Sequence, residues 1–217
     1  MERKGGMRMV LGIITAVAYV LAKVTASFKR LARLHAPLGY LLFALSAVHL
    51  ALAARLAPQR PVAVTVLGAL MFFLIAAAIA TAWLRKYRLH RILALLVIPL
   101  LIAHVAACVA GFTAYRQAVA ELAVSDVDAK TVADGRHLGA CDVGYIYAEV
   151  EVTVADGKIA GIELLEHRNE RGARGEGVIP EILAAQRVDV DAVTGATNSS
   201  EVIKKAVESA LEQGAQK

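Results

Sequence analysis

The chain has 217 residues, 58% of them hydrophobic, with a mean hydropathy of +0.56 and a formal net charge of +5. This length accommodates one or two domains and excludes three, and two cysteines exclude a disulfide framework. Charge is divided by position: residues 1–116 hold 14 of the 24 Lys and Arg and one of the 19 acids, a net of +13, whereas residues 117–217 stand at −8. A basic, apolar part joined to an acidic part reads as a membrane module carrying a water-compatible domain, so the high pI is no argument for a nucleic-acid partner, and none is expected. Cys108 lies in an apolar run and Cys141 in the soluble part, and the two are not expected to pair.

Four apolar stretches come first in chain order, at about Met9–Leu21, Leu38–Ala54, Val62–Leu84 and Ile92–Thr113. A spanning helix needs about 20 mostly apolar residues. The third and fourth stretches meet that length, and the second does so if its helix starts near Leu34. The first runs on to Phe28 with Lys23 able to snorkel; the basic Met1–Arg8 segment before it also fits a signal peptide. Topology follows from the loop cations. The 1–2 loop has Lys23, Lys29, Arg30 and Arg33, and the 3–4 loop has Arg85, Lys86, Arg88 and Arg91, against Arg55 and Arg60 in the 2–3 loop. Placing the richer loops in the cytoplasm puts both termini outside, although Arg3, Lys4 and Arg8 argue mildly the other way.

The membrane half contains His35 and His49 on its second helix and His90 and His104 on its fourth, 14 residues apart in each case. Fourteen helical steps advance about 21 Å and return a side chain to within about 40° of its starting azimuth. Each helix therefore shows two imidazoles on one face, and because helices two and four run in the same direction, His35 is level with His90 and His49 with His104. A lone intramembrane histidine is often only a polar residue bonded to a neighbour. Two pairs of equal spacing point instead to axial ligation of two b-type haems, His35/His90 at an inner haem iron and His49/His104 at an outer one. Arg33, Arg88 and Arg91 suit either the propionates of the inner haem or the lipid headgroups.

Leu34-His35-Ala-Pro-Leu-Gly-Tyr with Val48-His49, and Leu89-His90-Arg-Ile with Ala103-His104, resemble the haem-binding helices of the ferric reductase-like transmembrane family. The resemblance covers residues 30–112. Larger members of that family have six helices and a cytoplasmic NADPH/FAD domain. Neither is expected here, so the resemblance does not extend to NADPH as a direct donor.

After a connector at 114–133, Tyr145–Val154 alternates apolar and polar residues, the pattern of a half-buried strand. Ala155-Asp-Gly157 is a hairpin signal and Lys158–Glu166 is the returning strand. Arg168–Gly177 reads as a loop, Ile179–Gln186 as a short helix with Pro180 in its first turn, and Asn198–Gln213 as a longer helix. Asn198 is the expected N-cap and Glu201 its capping-box partner. Strands followed by helices indicate an α+β domain. Thr194-Gly195-Ala196-Thr197 precedes the last helix, where free N–H groups and the positive dipole end make a cradle for phosphate. The same residues also fit a turn that does nothing but lead into a capped helix.

Residues 134–213 resemble the FMN-binding domain of the C subunit of Na+-translocating NADH:quinone reductase and the G subunit of the Rnf complex. The match includes Asp134-Gly135, Val152-Thr-Val-Ala-Asp-Gly-Lys-Ile and Asp191-Ala-Val-Thr-Gly-Ala-Thr197. It implies covalent FMN, attached by a flavin transferase through a phosphoester to Thr197, with Asp191 as the motif aspartate. Thr194, Gly195, Ala196, Asn198 and Ser199 are the accompanying cofactor-binding residues. An aromatic residue is common in the family where this chain has Arg136-His137, which leaves the role of His137 open beside that of an ordinary surface histidine; His167 is expected at the surface too.

The expectation is a membrane α-helical bundle of four transmembrane helices (1–113) followed by a small α+β flavin domain (134–217). It sits in a bacterial inner membrane, with the flavin domain on the extracytoplasmic side. Electrons would pass through two b-type haems to or from FMN, between a quinol or cytoplasmic donor and an extracytoplasmic redox acceptor. A redox-sensing or assembly flavoprotein and a flavin subunit of a larger respiratory pump are the alternatives. No strand–G-x-G-x-x-G–helix unit for nicotinamide is present.

Overall fold

A computed structural model of the protein describes residues 4–54, 61–169 and 172–215, with side chains from residue 10 onward. Arg3, Arg55 and Arg60, used above for topology, lie outside the described residues, as do the side chains of Lys4 and Arg8 and part of the 168–177 loop. The chain divides into two compact units, Met1–Gly111 and Phe112–Lys217.

The first unit holds the helices α1 (Lys4–Ser27), α2 (His35–Ala54), α3 (Val62–Trp83) and the larger part of α4 (Tyr87–Ala120). All four are long and apolar enough to cross a membrane. Their starts and stops follow the sequence. Lys29–Leu34 forms a 3-10 turn before α2, Pro61 stands immediately before α3, and Arg85 at φ +56° closes α3 in a left-handed turn. Pro99 sits inside α4, where it removes one main-chain bond, a loss tolerated in membrane helices. With 34 residues, α4 is about 51 Å long, beyond the ~30 Å hydrocarbon thickness. Only a small interior is buried, around Tyr19, Leu42, Ile75 and Val97. Large apolar side chains such as Phe73 (64% exposed) and Ile102 (65%) face outward, which suits lipid rather than water. Trp83 Nε1 donates to Tyr40 Oη at 2.7 Å beside exposed Arg85, Lys86 and Tyr87, an aromatic and basic girdle of interfacial type.

The second unit is built on a three-stranded antiparallel sheet of order β1 (Gly135–Asp142), β2 (Tyr147–Ala155), β3 (Lys158–Arg168). β2 is central and strictly alternating: Ala148, Val150, Val152 and Val154 are buried and the residues between them are not. Asp156 and Gly157, both at positive φ, make the expected two-residue hairpin. Two further helices complete the unit, α5 (Val178–Ala185) and α6 (Thr197–Ala215). α6 packs across β1 and β2, burying Val202, Ile203, Ala206, Val207, Ala210 and Leu211 completely. Full burial of each large aliphatic side chain contributes roughly 1.5–3 kcal/mol. The close approach requires Gly139 on β1, because a Cβ there would overlap the backbone of Ala206 and Ala210. Tyr115, Val119 and Leu122 pack against the same core, so the segment following the apolar run is an integral part of this unit.

Three details differ from expectation. β1 is an additional strand, half exposed and weakly alternating. α6 begins at Thr197, so Asn198 lies inside the helix and does not cap it; its amide donates to Tyr115 Oη at 2.8 Å, and Glu201 pairs with Lys204 instead of closing a capping box. His167 is not a surface histidine: its side chain is 3% exposed and bonds Glu176 at 2.8 Å.

Candidate functional site

Two groups of residues carry chemistry, one in each unit. In the first, the rings of His35 and His90 meet edge to face, with centroids 6.0 Å apart and planes at 80°. His35 Nδ1 lies 2.9 Å from the carbonyl of Ala22, and His90 Nδ1 lies 2.8 Å from the carbonyl of Ala78. A carbonyl only accepts, so each Nδ1 carries the proton and each Nε2 is left as a lone-pair donor. A carbonyl holding one ring nitrogen in this way fixes the tautomer and the ring orientation, as it does for a histidine that ligates a metal through the other nitrogen. Two imidazoles bound through nitrogen at about 2.0–2.1 Å to one metal have centroids roughly 6 Å apart, and the observed separation fits that span. No group of three or more His, Cys, Asp or Glu gathers for a metal ion among the described residues; His35 and His90 meet as a pair.

His49 packs near Gly12 of α1, and His104 packs near Gly68 of α3. Cys108 Sγ stands 3.8 Å from His104 Nε2, and no disulfide joins Cys108 to Cys141. Arg33, Arg88 and Arg91 are exposed at the end of the bundle that holds His35 and His90.

In the second unit the site is the turn into α6. Gly195 adopts φ +81°, a left-handed conformation that favours glycine. The turn is held from behind. Ala196 N donates to Val193 O at 2.9 Å, Val193 N donates to Ser200 Oγ at 3.1 Å, and buried Lys204 donates to Val190 O at 2.9 Å. Lys204 also pairs with Glu201 at 2.9 Å and Asp189 at 3.5 Å. These bonds fix the loop carrying Asp191 against the helix and leave Asp191, Thr194, Gly195 and Thr197 exposed. Thr197 is the first residue of α6, so its hydroxyl stands beside the unpaired N–H groups of the first turn and the positive end of the dipole. Ala196 and Ser199 do not share this surface: both are buried, and Ser199 lies under Gly172 and Gly175, where any Cβ would collide with it.

Sequence reasoning missed an aromatic cluster beside this turn. Tyr115 and Tyr145 have ring centroids 5.1 Å apart, and Phe112 lies 6.1 and 6.5 Å from them. Asn198, the residue after Thr197, ties itself to the cluster through Tyr115. Lys204 was also missed; a lysine on the apolar face of an amphipathic helix was its only sequence signal.

No curated protein and no solved structure matches the chain. One family model, described as the FMN-binding domain, matches residues 144–212, and the second unit thus carries the sequence pattern of an FMN-binding domain across β2, β3, α5 and α6, with Thr197 inside the matched region.

Proposed function

We propose that the protein is a membrane electron-transfer flavocytochrome: a relay whose stations are the inner pair His35/His90, the outer pair His49/His104 and an FMN joined by phosphoester to Thr197. The FMN-binding domain match supports the flavin. The observation that carries the step from flavoprotein to flavocytochrome is the His35/His90 pair, with both Nδ1 atoms committed to main-chain carbonyls at a centroid separation of 6.0 Å. Haem iron exchanges single electrons, and FMN handles one or two, so the cofactors supply the redox chemistry when bound. The chain's own residues set position and environment. The carbonyls of Ala22 and Ala78 fix the ring orientation of the inner ligands. The left-handed turn at Gly195 presents the Thr197 hydroxyl to a flavin transferase, with the α6 N-terminus favouring the phosphate. Tyr115, Tyr145 and Phe112 offer aromatic faces for the isoalloxazine ring.

The loop cations support an orientation with the flavin domain on the extracytoplasmic side; the membrane in this reading is a bacterial inner membrane, and that side its periplasmic face. A quinol or cytoplasmic donor and an extracytoplasmic acceptor complete the path. The test is an absorption spectrum of the purified protein together with in-gel flavin fluorescence after denaturation. Two b-type haems per chain and a fluorescent band that disappears in Thr197→Ala are expected. Absence of haem bands overturns the relay, and persistent fluorescence in Thr197→Ala overturns the attachment site. Flavin that stays oxidised while the haems are reduced points to a redox sensor or assembly factor; obligatory co-purification with other subunits points to a part of a larger pump.

A further inference from the structure

The four-helix unit repeats itself at the level of single atoms. Gly12 and Ala22 stand ten residues apart on α1, as Gly68 and Ala78 do on α3. Thr25 Oγ1 donates to Ala22 O at 3.0 Å, and Thr81 Oγ1 donates to Ala78 O at 2.8 Å. The same two carbonyls accept the Nδ1 protons of His35 and His90 from the following helix. Arg33-Leu34-His35 recurs as Arg88-Leu89-His90, with the second histidine 14 residues later in each copy. Buried positions correspond as well: Tyr19 with Ile75, and Leu42 with Val97. The offset is 56 residues on the first helices and 55 on the second, and the one-residue difference falls in the connecting turn. Shared apolar residues are expected of any two membrane helices. A shared threonine–carbonyl–histidine triad is not, because polar groups in that setting are costly and sparse.

We infer that the bundle is two copies of one helical hairpin, and that Gly12 and Gly68 are equivalent positioning residues that seat the imidazoles of His49 and His104. The inference rests on the two-haem reading for the group those imidazoles hold. In each copy the first helix serves the second twice: a carbonyl orients the first histidine, and a bare Cα makes room for the second. A Cβ on Gly12 would stand 3.2 Å from His49 Cε1, and a Cβ on Gly68 would stand 3.4 Å from His104 Cε1. Cε1 lies between the two ring nitrogens, so an added methyl group turns or displaces the ring and changes the angle between the two ligand planes. Gly39 on α2 has nothing within 4 Å of its hypothetical Cβ and serves as a control. Duplication also assigns one imidazole of each pair to each hairpin, so neither hairpin completes a site alone.

The experiment compares full-length wild type with Gly12→Ala, Gly68→Ala and Gly39→Ala, each purified with its haems, by low-temperature EPR and redox titration. Gly12→Ala and Gly68→Ala are expected to shift the largest g-value and the midpoint potential of the same haem, the one lost in His49→Ala, and to leave the other haem unchanged. Gly39→Ala is expected to leave both unchanged. Outright loss of that one haem, with the His35/His90 signal retained, supports the inference equally, since the retained signal reports a folded bundle. Unchanged signals in both glycine variants, a shift of the haem lost in His35→Ala, or loss of both haems overturns it. A wild-type protein without haem bands overturns the two-haem reading itself and the inference with it, a failure visible before any variant is made.

Discussion

Leu211 and Phe73 are both large apolar residues on helices, yet Leu211 is wholly buried and Phe73 is 64% exposed. They stand for two ways of holding a structure together. The second unit packs α6 onto an alternating sheet and removes its aliphatic side chains from water, so burial itself drives assembly. The first unit turns its apolar side chains outward, where lipid is as apolar as leucine and burial contributes little. What remains there is close packing and a few polar links, such as Tyr19 Oη donating to Ala94 O at 2.7 Å and the two histidine–carbonyl bonds. One substitution chemistry therefore has different consequences in the two units, a difference open to measurement.

The largest expected effect is His49→Ala. On the proposed two-haem reading, it is expected to remove about half of the bound haem while the flavin band in the gel stays intact. Haem quantification and in-gel fluorescence on the same preparation check this; disappearance of the flavin together with the haem would break the contrast between independently assembled units. Next comes Leu211→Ala, a buried truncation expected to destabilise the second unit by about 2–5 kcal/mol. Denaturant unfolding followed by flavin fluorescence reads it out, with Phe73→Ala as the outward-facing partner in the first unit. Equal losses from both would mean that exposure in the bundle does not correspond to lipid contact. A smaller effect is expected of Tyr115→Phe, which deletes the oxygen accepting the Asn198 amide at 2.8 Å. A loss of about 0.5–1.5 kcal/mol is expected, together with altered flavin emission in the native protein. Emission identical to wild type would detach the aromatic cluster from the flavin.

The smallest effect concerns Cys141. Burial pushes its thiol above the ordinary range, partly offset by Lys205, with Asp142 and Glu208 pushing it further up. A raised pKa favours the neutral thiol, and only the thiolate is nucleophilic. Alkylation of Cys141 at pH 8 is therefore expected to run slower than that of an exposed cysteine and to keep rising with pH after the latter has levelled. A rate at pH 8 equal to that of a small free thiol would contradict this. Mass spectrometry of the labelled peptide separates Cys141 from Cys108.

Much of this architecture is legible in the residues. Hydropathy marks all four long helices, because a lipid-facing helix is apolar on every side. Alternation at Tyr147–Ala155 and the Asp-Gly turn mark the central hairpin, because β2 is buried on one face only. β1 escapes the same reasoning: Arg136, His137 and Leu138 occupy a half-exposed edge strand, where alternation has little to enforce it. Asn198 does not cap α6 because the helix already starts one residue earlier, at Thr197. Its amide N–H donates instead to Tyr115, 83 residues earlier, a partner that local pattern cannot register. His167 fails similarly, since only the fold brings Glu176 over it. The repeated Arg-Leu-His is visible at a separation of 55 residues, but its meaning depends on the shared carbonyl geometry.

Gly139 has a consequence for how this sequence can drift over time. The backbone of α6 runs so close to it that any side chain would have to occupy space held by Ala206 and Ala210, and main-chain atoms cannot step aside as a flexible side chain can. Position 139 is thus closed to all nineteen other residue types unless the whole helix moves, and Thr197 moves with it. Gly161, on β3 with nothing within 4 Å of its hypothetical Cβ, is open to substitution. Among distant descendants of this chain, a retained glycine at 139 beside a variable 161 would mark those that still hold their last helix, and the threonine at its head, in the same place.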